Sequence, residues 1–254
     1  GTNKGPEQVS TDISIMNLVD AVVPVSNSSA KLLRELGVVN PFMEVIYNAV
    51  PQKEVINQNC PDDVVFRKLK EWRKKSSPII GCIGSVGERK NQKCLLQAIS
   101  LLPDPKPACL FVGEEETPGF LNEMARSLGL DDRILLAGYR DDVATLSAHF
   151  TCMVLPSRSE GLPLAIIEAL RDGIPVIGSD IPSIREIVVD NVNGKLFRDN
   201  DPVDLAFVLQ EFLSAEFTDK ARWIESGKKK YAEDFHFNVM LEKYDSIYKK
   251  VHKN

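Results

Sequence analysis

Two carboxylates with seven residues between them, Glu160 and Glu168, are the side chains whose spacing in this sequence most favours ligand chemistry. Apolar segments at 152–156 and 174–178 flank them, which predicts a strand, a loop, a helix and a second strand. In a parallel α/β sheet, the loops at the carboxyl ends of the strands form the ligand crevice. Glu160 therefore leans over the crevice from its loop, and Glu168 in the helix can accept hydrogen bonds from a diol.

The predicted helix begins near Pro163 and ends at Gly173. Proline suits a first turn because the N–H that it lacks would be unpaired there, and glycine suits the left-handed exit. Backbone N–H groups over about 162–166 then face the crevice and favour an anion. The helix is apolar nearly all round, which predicts burial, and a buried Glu168 needs a partner. For two glutamates in isolation, a solvated helix face is the alternative interpretation.

A glycine-rich loop separates the predicted strand 78–84 from the predicted helix 91–102. Its glycines follow G-x-x-G-x-x-G, unlike the dinucleotide-binding G-x-G-x-x-G, and no Gly-Lys-Ser/Thr closes it as in a Walker loop. Glycines allow the backbone to approach a phosphate, and a helix start favours negative charge. The loop is therefore a candidate phosphate site, with an ordinary turn between strand and helix as the alternative.

The composition, 43% hydrophobic and 26% charged over 254 residues, is that of a globular protein. A net charge of −5 argues against a nucleic-acid partner, which would require a basic face. No apolar run reaches about 18 residues and no signal-peptide pattern is present, so we expect a cytoplasmic protein. The cysteines lack pair spacing, which predicts buried reduced thiols, and the histidines lack metal spacing. These residues are Cys60, Cys82, Cys94, Cys109 and Cys152, with His149, His236 and His252.

Strand and helix patterns alternate along the chain, which predicts right-handed βαβ units and a mostly parallel sheet. Asp201 before Pro202 predicts a helix N-cap rather than a metal ligand. The predicted strands are 20–26, 43–48, 78–84, 108–113, 133–138, 152–156 and 174–178. The predicted helices are 30–36, 62–75, 91–102, 120–128, 142–148, 163–173, two over 202–232, and 237–251.

Four short segments together resemble the E-x7-E signature of the retaining, nucleotide-sugar-dependent glycosyltransferases of the GT-B fold, which include many capsule and lipopolysaccharide enzymes. The segments are Pro156-Ser157, Glu160-Gly161, Glu168-Ala169 and Gly173-Ile-Pro-Val176, and residues 184–197 resemble the block that follows. The resemblance implies an α/β fold, a Rossmann-like parallel sheet flanked by helices, forming a GT-B donor-binding domain with a fragment of the N-terminal domain. It also implies a hexosyltransferase-type enzyme that moves a sugar from a nucleotide-diphosphosugar to a saccharide or lipid-linked acceptor.

Residue by residue, the resemblance assigns catalysis to Glu160 and Lys90. Lys90 matches the family lysine that binds the donor diphosphate, whereas Ser85 stands where the family has arginine, and the adjacent Arg89 can supply that charge. Segment 136–142 matches the loop whose backbone receives the nucleobase, where Tyr139 either stacks on the base or is an exposed loop residue. No metal and no cofactor is implied. The expected ligand-binding residues are Gly84, Ser85, Arg89, Lys90, Tyr139, Arg140, Gly161, Leu162, Pro163, Leu164 and Glu168.

The resemblance also divides the chain. Residues 1–50 correspond to the end of an acceptor-side domain, 51–77 to a hinge helix, 78–232 to the donor domain, and 233–254 to a helix returning to the N-terminal domain. We expect the chain alone to bind a donor without transferring sugar, with an apolar patch exposed or self-associated around residues 20–48. Peripheral membrane association at the inner face is expected through N-terminal-domain residues outside this chain.

Two alternative functions stay open. A GT-B-shaped epimerase or hydrolase of the nucleotide sugar would be expected to place a histidine and extra carboxylates in the crevice, where His149 is poorly placed. A sugar-nucleotide-binding subunit without catalysis is the other. Nuclear magnetic resonance of a donor incubated with full-length protein separates the three by isomerised sugar, free sugar, or no turnover without an acceptor.

Overall fold

The computed structural model describes residues 5–52 and 63–251, and six parallel strands form its centre. Their order across the sheet is β3-β2-β1-β4-β5-β6, so the chain builds outward from β1 in one direction and then from β4 in the other. The carboxyl ends of β1 and β4 therefore meet at a topological switch point. The strands are β1 (Ile79–Ile83), β2 (Ala108–Val112), β3 (Ile134–Leu136), β4 (Cys152–Leu155), β5 (Val176–Ser179) and β6 (Lys195–Phe197).

Helices cover both faces of this sheet, as its fully buried strands β2, β4 and β5 require. The helices are α1 (Pro6–Leu18), α2 (Asn27–Glu35), α3 (Val64–Lys74), α4 (Gln92–Leu101), α5 (Phe120–Ser127), α6 (Val143–Ser147), α7 (Leu164–Asp172), α8 (Pro182–Arg185), α9 (Pro202–Ser214), α10 (Phe217–Lys230) and α11 (Phe237–Val251). A π-helical turn, Tyr231–Phe235, joins the last two. One face of the sheet packs against α4, α5 and α9, and the other packs against α3, α6 and α7.

The strands and helices predicted between 78 and 178 are confirmed, with boundaries shifted by a few residues at most. The short elements β6 and α8 and the π-helical turn went unpredicted, because three to five residues carry too little periodicity to be recognised. Asp201 is confirmed as an N-cap, since its side chain accepts hydrogen bonds from the N–H groups of Val203 and Asp204.

The strands predicted at 20–26 and 43–48 are wrong as strands. The two segments do run side by side, joined by hydrogen bonds from the N–H of Val22 to the carbonyl of Phe42 and from Glu44 back to Val22. Only the single parallel bridge between Val22 and Met43 forms. Pro24 lacks an N–H to extend the ladder, and proline is poorly suited to a central strand.

The first fifty residues contact the end of the chain. Lys250 on α11 pairs with Glu44 at 2.8 Å, and the carbonyl of Phe235 accepts a hydrogen bond from the Val50 N–H at 3.2 Å. Seven apolar side chains over 15–42 are 43–86% exposed: Ile15, Leu18, Val19, Leu32, Leu36, Val39 and Phe42. These exposed side chains lie before or between the two segments predicted as strands, whereas residues 21–26 and 45–48 themselves are buried or half-buried. No helix within the described ranges is both long and apolar enough to cross a bilayer.

Candidate active site

The loops that follow β1 and β4 lie side by side, because these strands are neighbours and run in the same direction. The first loop carries Gly84 to Lys90, and the second carries Ser157 to Pro163. The loop after β3, with Tyr139 and Arg140, opens at the same edge of the sheet. The fold thus brings the sequence-predicted site residues to one edge, at the switch point where α/β sheets bind ligands.

Gly84 allows the Lys90 side chain to fold over its own loop. The backbone of Gly84 has a φ of +135°, and a Cβ added there would lie only 3.2 Å from the Cε of Lys90. The opposing Gly113 approaches even more closely, since an added Cβ would sit 2.1 Å from the carbonyl oxygen of Gly84. The positive φ favours glycine at both positions, and at Gly113 the lack of space also requires it.

Gln92, which the sequence analysis did not single out, holds this loop in shape. Its side-chain amide donates to the carbonyl of Ser85 at 2.9 Å and accepts from the N–H of Gly87 at 3.2 Å. Gln92 is almost fully buried at the start of α4. A buried amide that bonds backbone groups on both sides rigidifies the loop, but no sequence pattern distinguishes it from a surface glutamine.

Glu160 pairs with both cations of the first loop. Its Oε1 lies 2.6 Å from Nζ of Lys90, and its Oε2 lies 3.1 Å from Nη1 of Arg89. The Glu160 side chain is 7% exposed and that of Lys90 is 14% exposed, whereas Arg89 is half exposed. The residues predicted to carry catalysis therefore touch each other across the two loops.

Two further contacts join the loops without involving this carboxylate. The N–H of Arg158 donates to the carbonyl of Arg89 at 2.9 Å, and Nη1 of Arg89 donates to the carbonyl of Ser159 at 3.0 Å. The relative position of the loops thus rests on backbone groups as well as on the ion pairs.

Helix α7 begins at Leu164, so Pro163 stands at the N-cap position rather than in the first turn. The N–H of Ile166 donates to the carbonyl of Pro163 at 3.1 Å and is engaged in the helix. The N-terminal end of the helix favours anions, and backbone N–H groups remain available there at Leu162, Leu164 and Ala165. The Leu162 side chain is in the core, while Gly161 lies beside Val25, a residue of the first fifty. The helix ends as predicted at Gly173, with a φ of +69°.

Glu168 on α7 lines a cavity of about 430 Å³. Ile83, which directly precedes Gly84, lines the same cavity together with Tyr139 and Arg140. Burial raises the pKa of the Glu168 carboxyl, and the nearby Arg171 guanidinium partly opposes that shift. Among the residues that the structure describes, this carboxylate has no hydrogen-bond partner, so a hydroxyl-bearing ligand would satisfy it.

The Arg140 side chain is engaged elsewhere. Its guanidinium bonds both carboxylate oxygens of Asp142, at 2.8 and 2.6 Å, and one oxygen of Asp63 at 2.6 Å. The hydrogen bonds to Asp142 and Asp63 raise the pKa of Arg140. A ligand in the cavity thus meets the backbone of this loop and the 75% exposed ring of Tyr139 rather than a free guanidinium.

His149 and the four described cysteines lie away from this site. His149 precedes β4 at the opposite edge of the sheet, where it packs against Phe66 and burial lowers its pKa. Cys82, Cys94, Cys109 and Cys152 are buried free thiols, as predicted, and burial raises the pKa of Cys82 to about 12; Cys60 lies outside the described residues. Over residues 5–52 and 63–251, no three His, Cys, Asp or Glu side chains come together as a metal site would need.

The sheet and its clustered loops form an α/β, Rossmann-like fold, which solved GT-B glycosyltransferase structures share. The sequence profile described as "Glycosyl transferases group 1" matches residues 66–230, and the chain belongs to this family. The resemblance carried by the E-x7-E segments is thereby confirmed at the level of the family, a group 1 glycosyltransferase.

Individual relatives are distant and longer. N-acetyl-alpha-D-glucosaminyl L-malate synthase of Bacillus anthracis is 24% identical over 246 residues, covering 94% of this chain and 63% of that enzyme. D-inositol 3-phosphate glycosyltransferase of Mycolicibacterium vanbaalenii is 30% identical over 155 residues, covering 56% of this chain and 34% of the enzyme. The structure of Anabaena HepE in complex with UDP and glucose has the same fold, with a TM-score of 0.84 at 19% identity over 97% of this chain and 68% of HepE.

Proposed function

We propose that this chain binds the nucleotide-diphosphosugar donor of a retaining hexosyltransferase and belongs to an enzyme that glycosylates a saccharide or lipid-linked acceptor in cell-surface polysaccharide biosynthesis. The observation that carries the proposal is the alignment of two different sites along one edge of the sheet. The loop that carries the cations Arg89 and Lys90 adjoins a cavity lined by Glu168, whose carboxylate has no hydrogen-bond partner among the residues that the structure describes. A nucleoside diphosphate is complementary to this arrangement, because its negative phosphates would meet the two cations while its ribose hydroxyls would meet the carboxylate.

The diphosphate portion fits the loop after β1. The leaving group of such a transfer is a nucleoside diphosphate, so catalysis mainly requires stabilising its developing negative charge. Lys90 and Arg89 supply positive charge, and the start of α7 supplies backbone N–H groups. Ser85, in the glycine-rich turn beside Gly84, adds a hydroxyl. With these cations and N–H groups, the proposed mechanism requires no metal ion.

The nucleoside portion fits the cavity. The half-buried carboxylate of Glu168 would accept hydrogen bonds from a ribose diol, which would compensate its partial desolvation. Tyr139 at the rim would stack on the base, and the backbone of Arg140 would meet the base edge. Since the HepE structure contains UDP, uracil is the first base to test.

The sugar portion would lie near Glu160, whose carboxylate would orient sugar hydroxyls. Retention rests on the E-x7-E resemblance rather than on any distance in the site. Because the chain spans 63% of the Bacillus anthracis relative, the acceptor is assigned only by class. The position of His149 at the far edge of the sheet counts against an epimerase or hydrolase that uses this histidine.

A thermal-shift panel of UDP, GDP and ADP, with their nucleosides and their sugar conjugates, tests the proposal. A ligand at 100 times its dissociation constant adds about 2.7 kcal/mol of stability, which is a shift of about 5–10 °C for a chain of this size. We expect one base series to raise the melting temperature and the diphosphate to outperform the nucleoside. A flat response across every base at millimolar ligand would refute donor binding.

A further inference from the structure

The carboxylate of Glu160 occupies the two cations that the proposed donor diphosphate requires. It lies 2.6 Å from the Lys90 ammonium and 3.1 Å from the Arg89 guanidinium, with one oxygen on each. The Glu160 side chain is 7% exposed and that of Lys90 is 14% exposed, so their pair is less screened by water than a surface ion pair, whereas the half-exposed Arg89 is more accessible to solvent. A diphosphate cannot bond the same N–H groups until the carboxylate leaves them.

We propose that Glu160 is an internal competitor of the diphosphate, which makes it a specificity-determining residue of the phosphate site. A ligand must bring enough negative charge to replace both ion pairs, and a diphosphate presents two phosphate groups for two cations. The carboxylate that it displaces is then free to turn toward the sugar hydroxyls. Binding of the diphosphate and release of Glu160 are thus one exchange.

The loops can accommodate this exchange without coming apart. The hydrogen bond from the Arg158 N–H to the Arg89 carbonyl, at 2.9 Å, does not use the carboxylate. The Lys90 side chain already lies against Gly84, where no Cβ restricts its movement. Removing the charge of Glu160 should therefore leave the two loops in place.

This inference rests on the proposed function. Binding of inorganic pyrophosphate tests the competitor role of Glu160 separately from donor binding. Pyrophosphate carries no sugar and no base, so its affinity reports the cations alone. Glu160→Gln should bind pyrophosphate about tenfold more tightly than the unaltered chain by calorimetry, equivalent to about 1.4 kcal/mol. The matched control is Glu211→Gln, which removes the same charge from the 3.2 Å pair with Lys195 outside the site and should leave the affinity unchanged.

Lys90→Ala in both backgrounds completes a double-mutant cycle. We expect the loss of pyrophosphate affinity to be larger when residue 160 is glutamine, because Lys90 is then not engaged. If Lys90→Ala weakens binding but Glu160→Gln leaves it equal or weaker, the competitor role is wrong and the phosphate site survives. If Lys90→Ala has no effect in either background, the phosphate assignment in the proposed function fails.

Glu160→Asp is a second variant that tests the proposal even if Glu160→Gln fails to fold. It keeps the charge but is one methylene shorter, so it should hold the two cations less well. Pyrophosphate affinity should then lie between those of the unaltered chain and Glu160→Gln. A Glu160→Asp chain that folds and binds pyrophosphate no more tightly than the unaltered chain would overturn the proposal by itself.

Discussion

Lys90 and Glu160 are 70 positions apart in sequence, yet the ammonium of one lies 2.6 Å from the carboxylate of the other. They meet because β4 returns beside β1 after the chain has built β2 and β3. The pair therefore marks the switch point of the sheet. Four predictions test the proposed site around this pair, and a fifth tests the contact between α2 and the α8 region.

Lys90→Ala should weaken binding of UDP much more than binding of uridine. The lost charge-assisted hydrogen bond is worth roughly 1.5–3 kcal/mol and involves phosphate only, so the UDP affinity should fall about 10- to 100-fold. Calorimetry with both ligands measures the difference. Lys195→Ala is the matched control, because Lys195 is another largely buried lysine in an ion pair, away from the site. Equal losses for UDP and uridine would show that Lys90 is not a phosphate ligand.

Glu168→Gln should reduce the preference for UDP over its 2′-deoxyribose analogue by about fivefold, since a hydrogen bond to a charged acceptor is stronger than one to an amide. Competition binding with the two nucleotides provides the ratio. An unchanged ratio, with only the melting temperature altered, would assign Glu168 a purely structural role.

The same substitution should change the pH dependence of stability. Burial raises the pKa of Glu168 above its ordinary value of 4.5, so the ionised carboxylate destabilises the fold at pH 7, and this cost disappears as the pH falls toward 4.5. Glu168→Gln should melt above the unaltered chain at pH 7, by less than the roughly 4 °C that 1 kcal/mol produces. The gap should close at lower pH. A gap that widens on acidification would contradict the assignment of the raised pKa to this carboxyl.

Tyr139→Ala should weaken UDP binding by at least about fivefold, because stacking of a base on an aromatic ring is worth about 1–3 kcal/mol. Tyr139→Phe keeps the ring and should bind UDP like the unaltered chain. Tyr248→Ala removes a similarly exposed tyrosine on α11 and serves as the control. If alanine and phenylalanine at position 139 behave alike, Tyr139 is only an exposed loop residue.

Glu186→Gln should destabilise the contact between α2 and the α8 region by about 0.5–2 kcal/mol, the usual range for loss of a helix cap. The Glu186 carboxylate accepts from the N–H groups of Asn27 and Ser28, both at 2.7 Å. Burial raises the pKa of Glu186, but these hydrogen bonds outweigh it and the net shift is downward. The stabilisation is therefore present above pH 4.5 and is lost as the pH falls through the lower folded value.

Thermal melts at several pH values check this cap. The difference between Glu186→Gln and the unaltered chain should be largest near neutral pH and should narrow below 4.5. Glu35→Gln, at the exposed end of the same helix, removes one charge without touching the cap and should change little. A deficit for Glu186→Gln that stays constant down to acid pH would show that the carboxylate's charge contributes nothing.

Much of the middle of the chain could be predicted from sequence. Apolar runs bounded by glycine and proline predict strands such as β4 and β5, and Gly173 predicts the end of α7. These signals are local, since each depends on a few neighbouring residues. The same reasoning failed at 20–26, where an apolar run forms only one bridge, because strand formation depends on partners that the run itself does not specify.

The sequence by itself determined the family, the alternation of strands and helices, and the residue types available for a donor site. Only the tertiary structure decided that Glu160 bonds Lys90 and Arg89, and that Arg140 is held by Asp63. The physical reason is that these contacts join segments far apart in the chain. Their existence depends on which strands become neighbours in the sheet, and no local spacing encodes that choice.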